Sequence, residues 1–322
     1  MTYCPPSAAI SRGFALIAVL WMIVLLTVIA GGLSYASRQS TQAVAALVGG
    51  ATARYLADGA TQLVIMNLLS TNPVDRLLAD GETIEVTLPG GNALVTVTDE
   101  NGKIDINAAR EALLARLFYS LDVAQPQADA LADAIVDYRD QDSLRRLNGA
   151  EDDDYLAAGL PLGAKDSDFT SVEELQRVYG MQPDIYSAML PYVTIHSQHP
   201  GVNPDTAPLQ VLMAISDDSK ATIESYIEQR RDNYRNKLPL PVLSTVPQEF
   251  ISGVRGITYS LVAVGVTETG QRSGLSTTIR LRRGKNQSSI ETLQWRPYID
   301  DNSAPGRQSG VLSEKNTGEF IQ

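Results

Sequence analysis

The 322-residue sequence contains one cysteine, Cys4, and two histidines, His196 and His199. A single thiol cannot close an internal disulfide. With Cys4 so early, thiol chemistry is excluded from everything that follows it. A zinc site of Cys/His type needs more ligands than these. Cys4 has no apolar run before it, so it does not read as a lipoprotein cysteine. Positive charge is short as well: 26 Lys and Arg stand against 37 Asp and Glu, a net charge of −11. Phosphate backbones demand a basic face, so no nucleic-acid partner is expected. GxSxG, Walker-loop and HExxH motifs are all missing. Nothing pairs the carboxylates across a cleft for acid–base work, so the chain is not expected to be an enzyme.

Charge vanishes altogether between Phe14 and Ser37, FALIAVLWMIVLLTVIAGGLSYAS. The run is long enough for a spanning helix, which needs about 20 apolar residues at 1.5 Å each. Ordinary soluble sequence follows, long enough for about two globular units. One anchor holding one large water-soluble body is the expectation. On the residues alone, two readings of the anchor stand. A plain signal anchor is one. The other follows from Ser11-Arg12-Gly13, a short basic leader ending in Gly directly before Phe14. A secretory signal would instead carry small residues after its apolar core, and Ala30-Gly31-Gly32 is a weak version of that.

The leader, the Gly13-Phe14 junction and the uninterrupted apolar helix resemble the class III signal of type IV pilins and type II secretion pseudopilins. That resemblance implies cleavage by prepilin peptidase between Gly13 and Phe14, with N-methylation of Phe14. Most such proteins carry Glu as the fifth mature residue, and here the position is Ala18. The missing Glu, the large size and the later motifs resemble the minor pseudopilin K of type II secretion.

Further along, Arg38 to about Ser70 has no proline and places Leu56, Ala60, Leu63 and Val64 at helical spacing. This predicts one long helix whose second half packs on a sheet, with Gly49-Gly50 as a point of bending or fraying. Its piece ARYLADGATQLVIMNLL resembles the corresponding pseudopilin segment. Thr83–Leu88 and Ala93–Thr98 alternate around Pro89-Gly90-Gly91-Asn92, a hairpin with a four-residue turn. From Asp99 to about Asn236 the pattern is helical. Asn107 reads as the cap of a helix to Leu121, Ser171 to Glu174 as a capping box, and Asn203-Pro204 as the opening of a helix through Leu209 and Leu212. Ala128 to Arg139 and Ser171 to Met181 resemble helix-hairpin-helix units. Leu238 to Pro247 is a Pro-rich connector, after which Tyr259–Thr267, Ser276–Leu281 and Glu291–Trp295 return to strand character. Strand sequence on both sides of a helical block predicts an α+β fold: a pilin-like N-terminal long helix packed on a small antiparallel sheet, with a large all-α domain inserted into the sheet region. The expected divisions are 1–13 leader, 14–37 transmembrane part of the helix, 38–100 periplasmic helix and first hairpin, 101–243 inserted helical domain, 244–299 remaining strands and 300–322 disordered tail.

One stretch carries candidate chemistry. Asp137 to Tyr155, DYRDQDSLRRLNGAEDDDY, crowds seven carboxylates together. Like charges at that density repel unless solvated or neutralised, and Ca²⁺ with six to eight oxygen ligands would neutralise them. Residue chemistry leaves both readings open; an EF-hand does not fit, since Leu144 occupies a ligand position and no Glu closes the loop. YRDQD, GAEDDDYL and SVEELQRVYGM resemble the corresponding run of K-type pseudopilins. The resemblance implies a structural Ca²⁺ held by residues among Asp140, Asp142, Glu151, Asp152 and Asp153. It further implies a tip subunit that initiates or caps the periplasmic pseudopilus and serves export of folded proteins across the outer membrane. The implied partners are minor pseudopilins I and J, the major pseudopilin, the inner-membrane assembly platform and prepilin peptidase. The implied location is the inner membrane, single-pass, with the C-terminal body in the periplasm. Other classes stay open: a membrane-anchored helix-hairpin-helix DNA-binding module, an acidic-site hydrolase on a signal anchor, or another type IV pilus minor pilin.

Overall fold

The computed structural model describes residues 12–70, 72, 75–243, 245–253, 256–283 and 288–298. The leader up to residue 11 and the tail from 299 lie outside the described residues. Helix α1 (Arg12–Leu68) runs unbroken for 57 residues, through Gly31-Gly32 and Gly49-Gly50. From Leu16 to Ser37 it carries no charged residue and is uncovered. By length and composition it is long and apolar enough to cross a membrane. Its second half turns one face inward. Ala53, Leu56, Ala57, Ala60, Val64, Ile65 and Leu68 are buried, at the i, i+3, i+4 spacing of a helix lying on a surface.

That surface is a five-stranded antiparallel sheet in the order β1-β2-β5-β6-β7. Strands β1 (Asp80–Leu88) and β2 (Gly91–Asp99) form the first hairpin. Its turn is two residues, not the four that the sequence suggests, because Leu88 already pairs with Gly91. Pro89 pre-sets φ and Gly90 supplies φ +91°, so a tight reversal needs no more chain. Strand β2 then pairs along its full length with β5 (Thr258–Thr267), which pairs with β6 (Arg272–Arg283) and that with β7 (Ser288–Tyr298). Alternate residues Ala93, Val95 and Val97 of β2 and Leu261 and Ala263 of β5 face α1 and form one core with it. At Gly265 the helix backbone comes so close that an added Cβ would sit 1.9 Å from the Ala53 carbonyl oxygen. Only glycine admits that approach.

Between β2 and β5 the chain builds a second, helical core. It comprises α2 (Glu111–Ser120), α3 (Gln125–Arg139), α4 (Asp152–Ala157), α5 (Pro183–Met189), α6 (Leu209–Ile215) and α7 (Lys220–Arg235). Strands β3 (Ile104–Asp105) and β4 (Val193–Thr194) add a short parallel pair. Direct pairing of β2 with β5 means this block leaves and re-enters the sheet between neighbouring strands.

Several cap expectations fail, Asn107 to a tertiary partner and the others to local turns. Asn107 does not cap α2, which starts at Glu111 after Arg110. Its amide donates to the Phe169 carbonyl at 2.9 Å while its Oδ1 accepts from the Phe169 N–H at 2.8 Å. Ser171 makes no capping bond to the short 3₁₀ turn Val172–Arg177. Glu174 turns to Lys165 at 2.7 Å and to Thr170. Asn203 closes a turn onto the Asp205 N–H, and α6 begins only at Leu209.

Helix α7 fastens the helical block to the sheet. Arg230 and Asp80 are each 1% exposed and pair at 2.9 Å (Nη2 to Oδ2). Arg231 Nε reaches the same Asp80 oxygen at 2.8 Å. Arg235 pairs with Glu82 at 2.6 Å, and the Tyr234 hydroxyl donates to the Arg76 carbonyl at 2.8 Å. These side chains recur at i, i+1, i+4 and i+5 on one helix, so one face of α7 meets the start of β1. Arg230 also donates to the carbonyls of Pro204 and Ala207 at 2.8 and 3.0 Å.

Candidate functional site

The acidic stretch runs from the last turn of one helix, through a loop, into the first turn of the next. Asp137 lies on the last turn of α3 and Asp140 is its C-terminal cap. Glu151 is the N-cap of α4, and Asp152, Asp153 and Asp154 fill its first turn. Carboxylates there complement the positive end of the helix dipole. Glu151 and Asp154 form a capping box: the Glu151 side chain accepts from the Asp154 N–H and Asp154 Oδ2 from the Glu151 N–H, the latter at 3.0 Å. Part of the charge density is therefore accounted for by helix capping. The rest is not.

Asp137 is fully buried, with its Oδ2 accepting from the Arg146 N–H at 3.1 Å. Its Oδ1, Asp140 Oδ1 and one oxygen of Glu151, Oε1, are buried without a hydrogen-bond partner. The cation near Asp137 is Arg146, whose Nε stands 3.5 Å from that Oδ1. Burial drives the Asp137 pKa up to about 6, with the neighbouring charge of Asp140 adding to it. Glu151 is pushed up to about 7, first by burial and then by Asp137, Asp140, Asp166 and Asp152. Asp140 rises too, through burial and Asp142. Buried carboxylates with orphaned oxygens and mutual repulsion are costly when ionised.

Of the residues expected to hold a cation, the structure places Asp140 and Glu151 at this centre. Asp142 sits beside Asp140, although its Oδ1 also accepts from the Leu144 N–H at 2.9 Å. Asp152 packs against Gly163, where an added Cβ would meet its Oδ1 at 1.9 Å. Asp153 is exposed on the first turn of α4. Two further carboxylates join that the sequence does not single out. Asp137 belongs to the acidic run but has the pattern of an ordinary helix residue. Asp166 comes from a different segment, brought in because the N–H groups of Lys165 and Asp166 both bond the Tyr138 carbonyl. The positive φ of Asp166, +54°, is a turn that no local pattern announces. Among the described residues no three acidic or histidine side chains already converge at metal-binding distances. A hard, oxygen-seeking cation fits the orphaned oxygens chemically.

At the other end of the molecule, Gly13 and Phe14 lie in the first turn of α1, and Ala18 follows on an uncovered part of it. The hairpin at Gly180-Met181-Gln182 links a 3₁₀ turn to α5, with Glu173, Glu174 and Asp184 nearby in sequence, charges that repel phosphate.

Residues 92–198, from β2 through the acidic site to just past β4, match the family model for type II secretion system (T2SS), protein K. This chain is similar to protein K of type II secretion. Relatives named type II secretion system protein K include one from Dickeya chrysanthemi, 32% identical over 41% of this chain and 38% of its own. Another, from Klebsiella pneumoniae, is 27% identical over 56% of this chain and 62% of its own. The chain thus matches less than two thirds of the length of these two K proteins. The fold agrees with that of a chain in the crystal structure of the GspK-GspI-GspJ complex from the enterotoxigenic Escherichia coli type 2 secretion system. That match has TM-score 0.53 and 21% identity, and covers 82% of this chain and 99% of that one.

Proposed function

We propose that this protein is a minor pseudopilin of a type II secretion system, seated at the tip of the periplasmic pseudopilus and assembled there with minor pseudopilins I and J. The observation that carries the reading is α1. One helix is both an uncovered apolar rod and the spine of the sheet. Its exposed apolar surface continues past the anchor through Val44, Leu47, Val48 and Tyr55. Such a helix is built to pack against others of its kind. The helical block supports the tip position, since a bulky insertion crowds a filament wall but has room at an end. Ala18 supports it too: without the fifth-residue Glu, the subunit lacks the carboxylate that would pair with a neighbouring amine inside the membrane. The reading extends to cleavage at Gly13-Phe14, N-methylation of Phe14, assembly on the inner-membrane platform onto major pseudopilin, and a role in initiating or capping the fibre.

A structural Ca²⁺ belongs to the same proposal. Asp137, Asp140 and Glu151 would hold it, with Asp142, Asp152 and Asp166 within reach of the same charge cluster. The ion supplies neutralisation of buried negative charge and no reaction step.

Immunogold labelling of sheared pseudopili carrying a tagged copy tests the tip assignment. Label confined to one end of the fibre is expected. Label along its whole length refutes a terminal position.

A further inference from the structure

We propose that the loop joining α3 to α4, together with α4 and the turn after it, is a docking surface for a basic amphipathic segment of a partner polypeptide. Five leucines between 144 and 162 are exposed. Leu147 is 93% and Leu144 78% exposed, and Leu156, Leu160 and Leu162 also face solvent. Single exposed leucines are ordinary, but five within 19 residues concentrate exposed apolar area in one stretch, and concentrated apolar surface marks interaction sites. The stretch is held, not loose. Arg145 Nη1 pairs with Asp154 at 3.0 Å and pins the loop against the first turn of α4. Arg146 N–H and Asn148 N–H bond Asp137 and Asp133 on α3, both at 3.1 Å. On the far side, the Leu160 N–H bonds the Tyr155 carbonyl at 3.0 Å. Leucines on a fixed frame are pre-organised, which lowers the ordering cost of binding.

Charge chooses the occupant. From Asp137 to Asp168 there are nine carboxylates and four Arg or Lys side chains, a net charge of −5 (4 − 9). Asp142, Asp152, Asp153, Asp166 and Asp168 are exposed in or next to the same stretch of chain, and Arg145, which lies between Leu144 and Leu147, is already paired with Asp154. A divalent ion in the buried centre would leave the surface net negative, so the inference holds with or without that ion. A second copy of this chain, itself at −11, would bring like charge to like. An apolar stripe flanked by Lys or Arg, presented at i, i+3, i+4 and i+7, satisfies both the leucines and the carboxylates of the same stretch.

The test uses the full chain in nanodiscs of zwitterionic lipid and reads hydrogen exchange by mass spectrometry. The probe is a Leu/Lys amphipathic helix of about 14 residues; its Leu/Glu counterpart and a Lys/Ser peptide are the controls. The Leu/Lys peptide is expected to protect amides of 141–162, and neither control should. Leu144→Gln with Leu147→Gln should weaken that protection about tenfold in peptide concentration, with an unchanged melting temperature showing the fold intact. Equal protection by the Leu/Glu peptide would remove charge selection and overturn the proposal. So would protection insensitive to the leucine changes, or none at all. Self-association that buries 141–162 would assign the stretch to a second copy instead. Protection by anionic vesicles alone would assign it to a membrane surface.

Discussion

Asp80→Asn, although isosteric, is expected to cost about 3–5 kcal/mol of unfolding free energy. Asp80 is buried at the start of β1 and accepts from both Arg230 and Arg231 of α7. Burial alone would raise its pKa, but the two guanidiniums outweigh that and hold it below the usual carboxylate range. Asn keeps the shape and loses the charge, so Arg230 stays buried with no counter-ion. Its Nε is already without a hydrogen-bond partner, which leaves little slack. An ion pair this buried is weak evidence of net stability, because apolar residues of the same shape can do as well. Its removal from one side is another matter. Urea unfolding followed by circular dichroism checks the figure in the soluble body. A loss below about 1 kcal/mol would place the pair among those that contribute almost nothing. Because the folded pKa is depressed, this contribution is present above the unfolded value and lost as pH falls through the folded one.

The acidic centre should behave in the opposite sense. Metal-free protein is expected to be more stable near pH 5 than near pH 7.5. Glu151 is raised to about 7 and Asp137 to about 6, both above their ordinary values. A raised folded pKa gives a contribution that is present below the unfolded value and lost as pH climbs through the folded one. The window therefore runs from about pH 4.5 to 7, and the change is on the order of 1–3 kcal/mol for such shifts. Ca²⁺ should cancel the slope, because it supplies at neutral pH the charge that protons supply at low pH. At a hundredfold excess over Kd it adds about 2.7 kcal/mol by mass action. Glu151→Gln should raise the metal-free stability at pH 7.5 and remove most of the calcium response. Thermal melts of chelator-treated protein at the two pH values, with and without calcium, decide it. Melting that ignores both calcium and pH would leave Asp137, Asp140 and Glu151 as structural acids only.

Long-range order is more legible in this sequence than local punctuation. The uncharged run after Gly13, the spacing of Leu56, Ala60 and Val64, and strand patterns on both sides of a helical block are enough for a long helix on a sheet with helices between its strands. Apolar periodicity survives folding because it is what the cores are made from. Caps are less legible. Asn107, Ser171 and Asn203 have the chemistry of caps, but none caps the helix its position suggests: Asn203 closes a local turn, and no local pattern reveals that Asn107 pairs with Phe169, 62 positions on. The same limit applies to the acidic centre. Asp140 and Glu151 can be picked from charge density and resemblance. Asp166 reaches the centre only through a turn against the Tyr138 carbonyl, a contact between segments nearly 30 residues apart. Arg230 reads in the sequence only as part of a helical pattern, and nothing in that pattern names Asp80, 150 positions earlier, as its partner.

A pseudopilin keeps α1 attached after processing, and the mass of the mature N-terminus tests that most directly. In cells with prepilin peptidase, the purified chain should begin at Phe14 and carry one N-methyl group, and Gly13→Ala should leave the leader in place. A mature chain beginning near Leu33, after Ala30-Gly31-Gly32, would have lost the anchor and would contradict the pseudopilin reading.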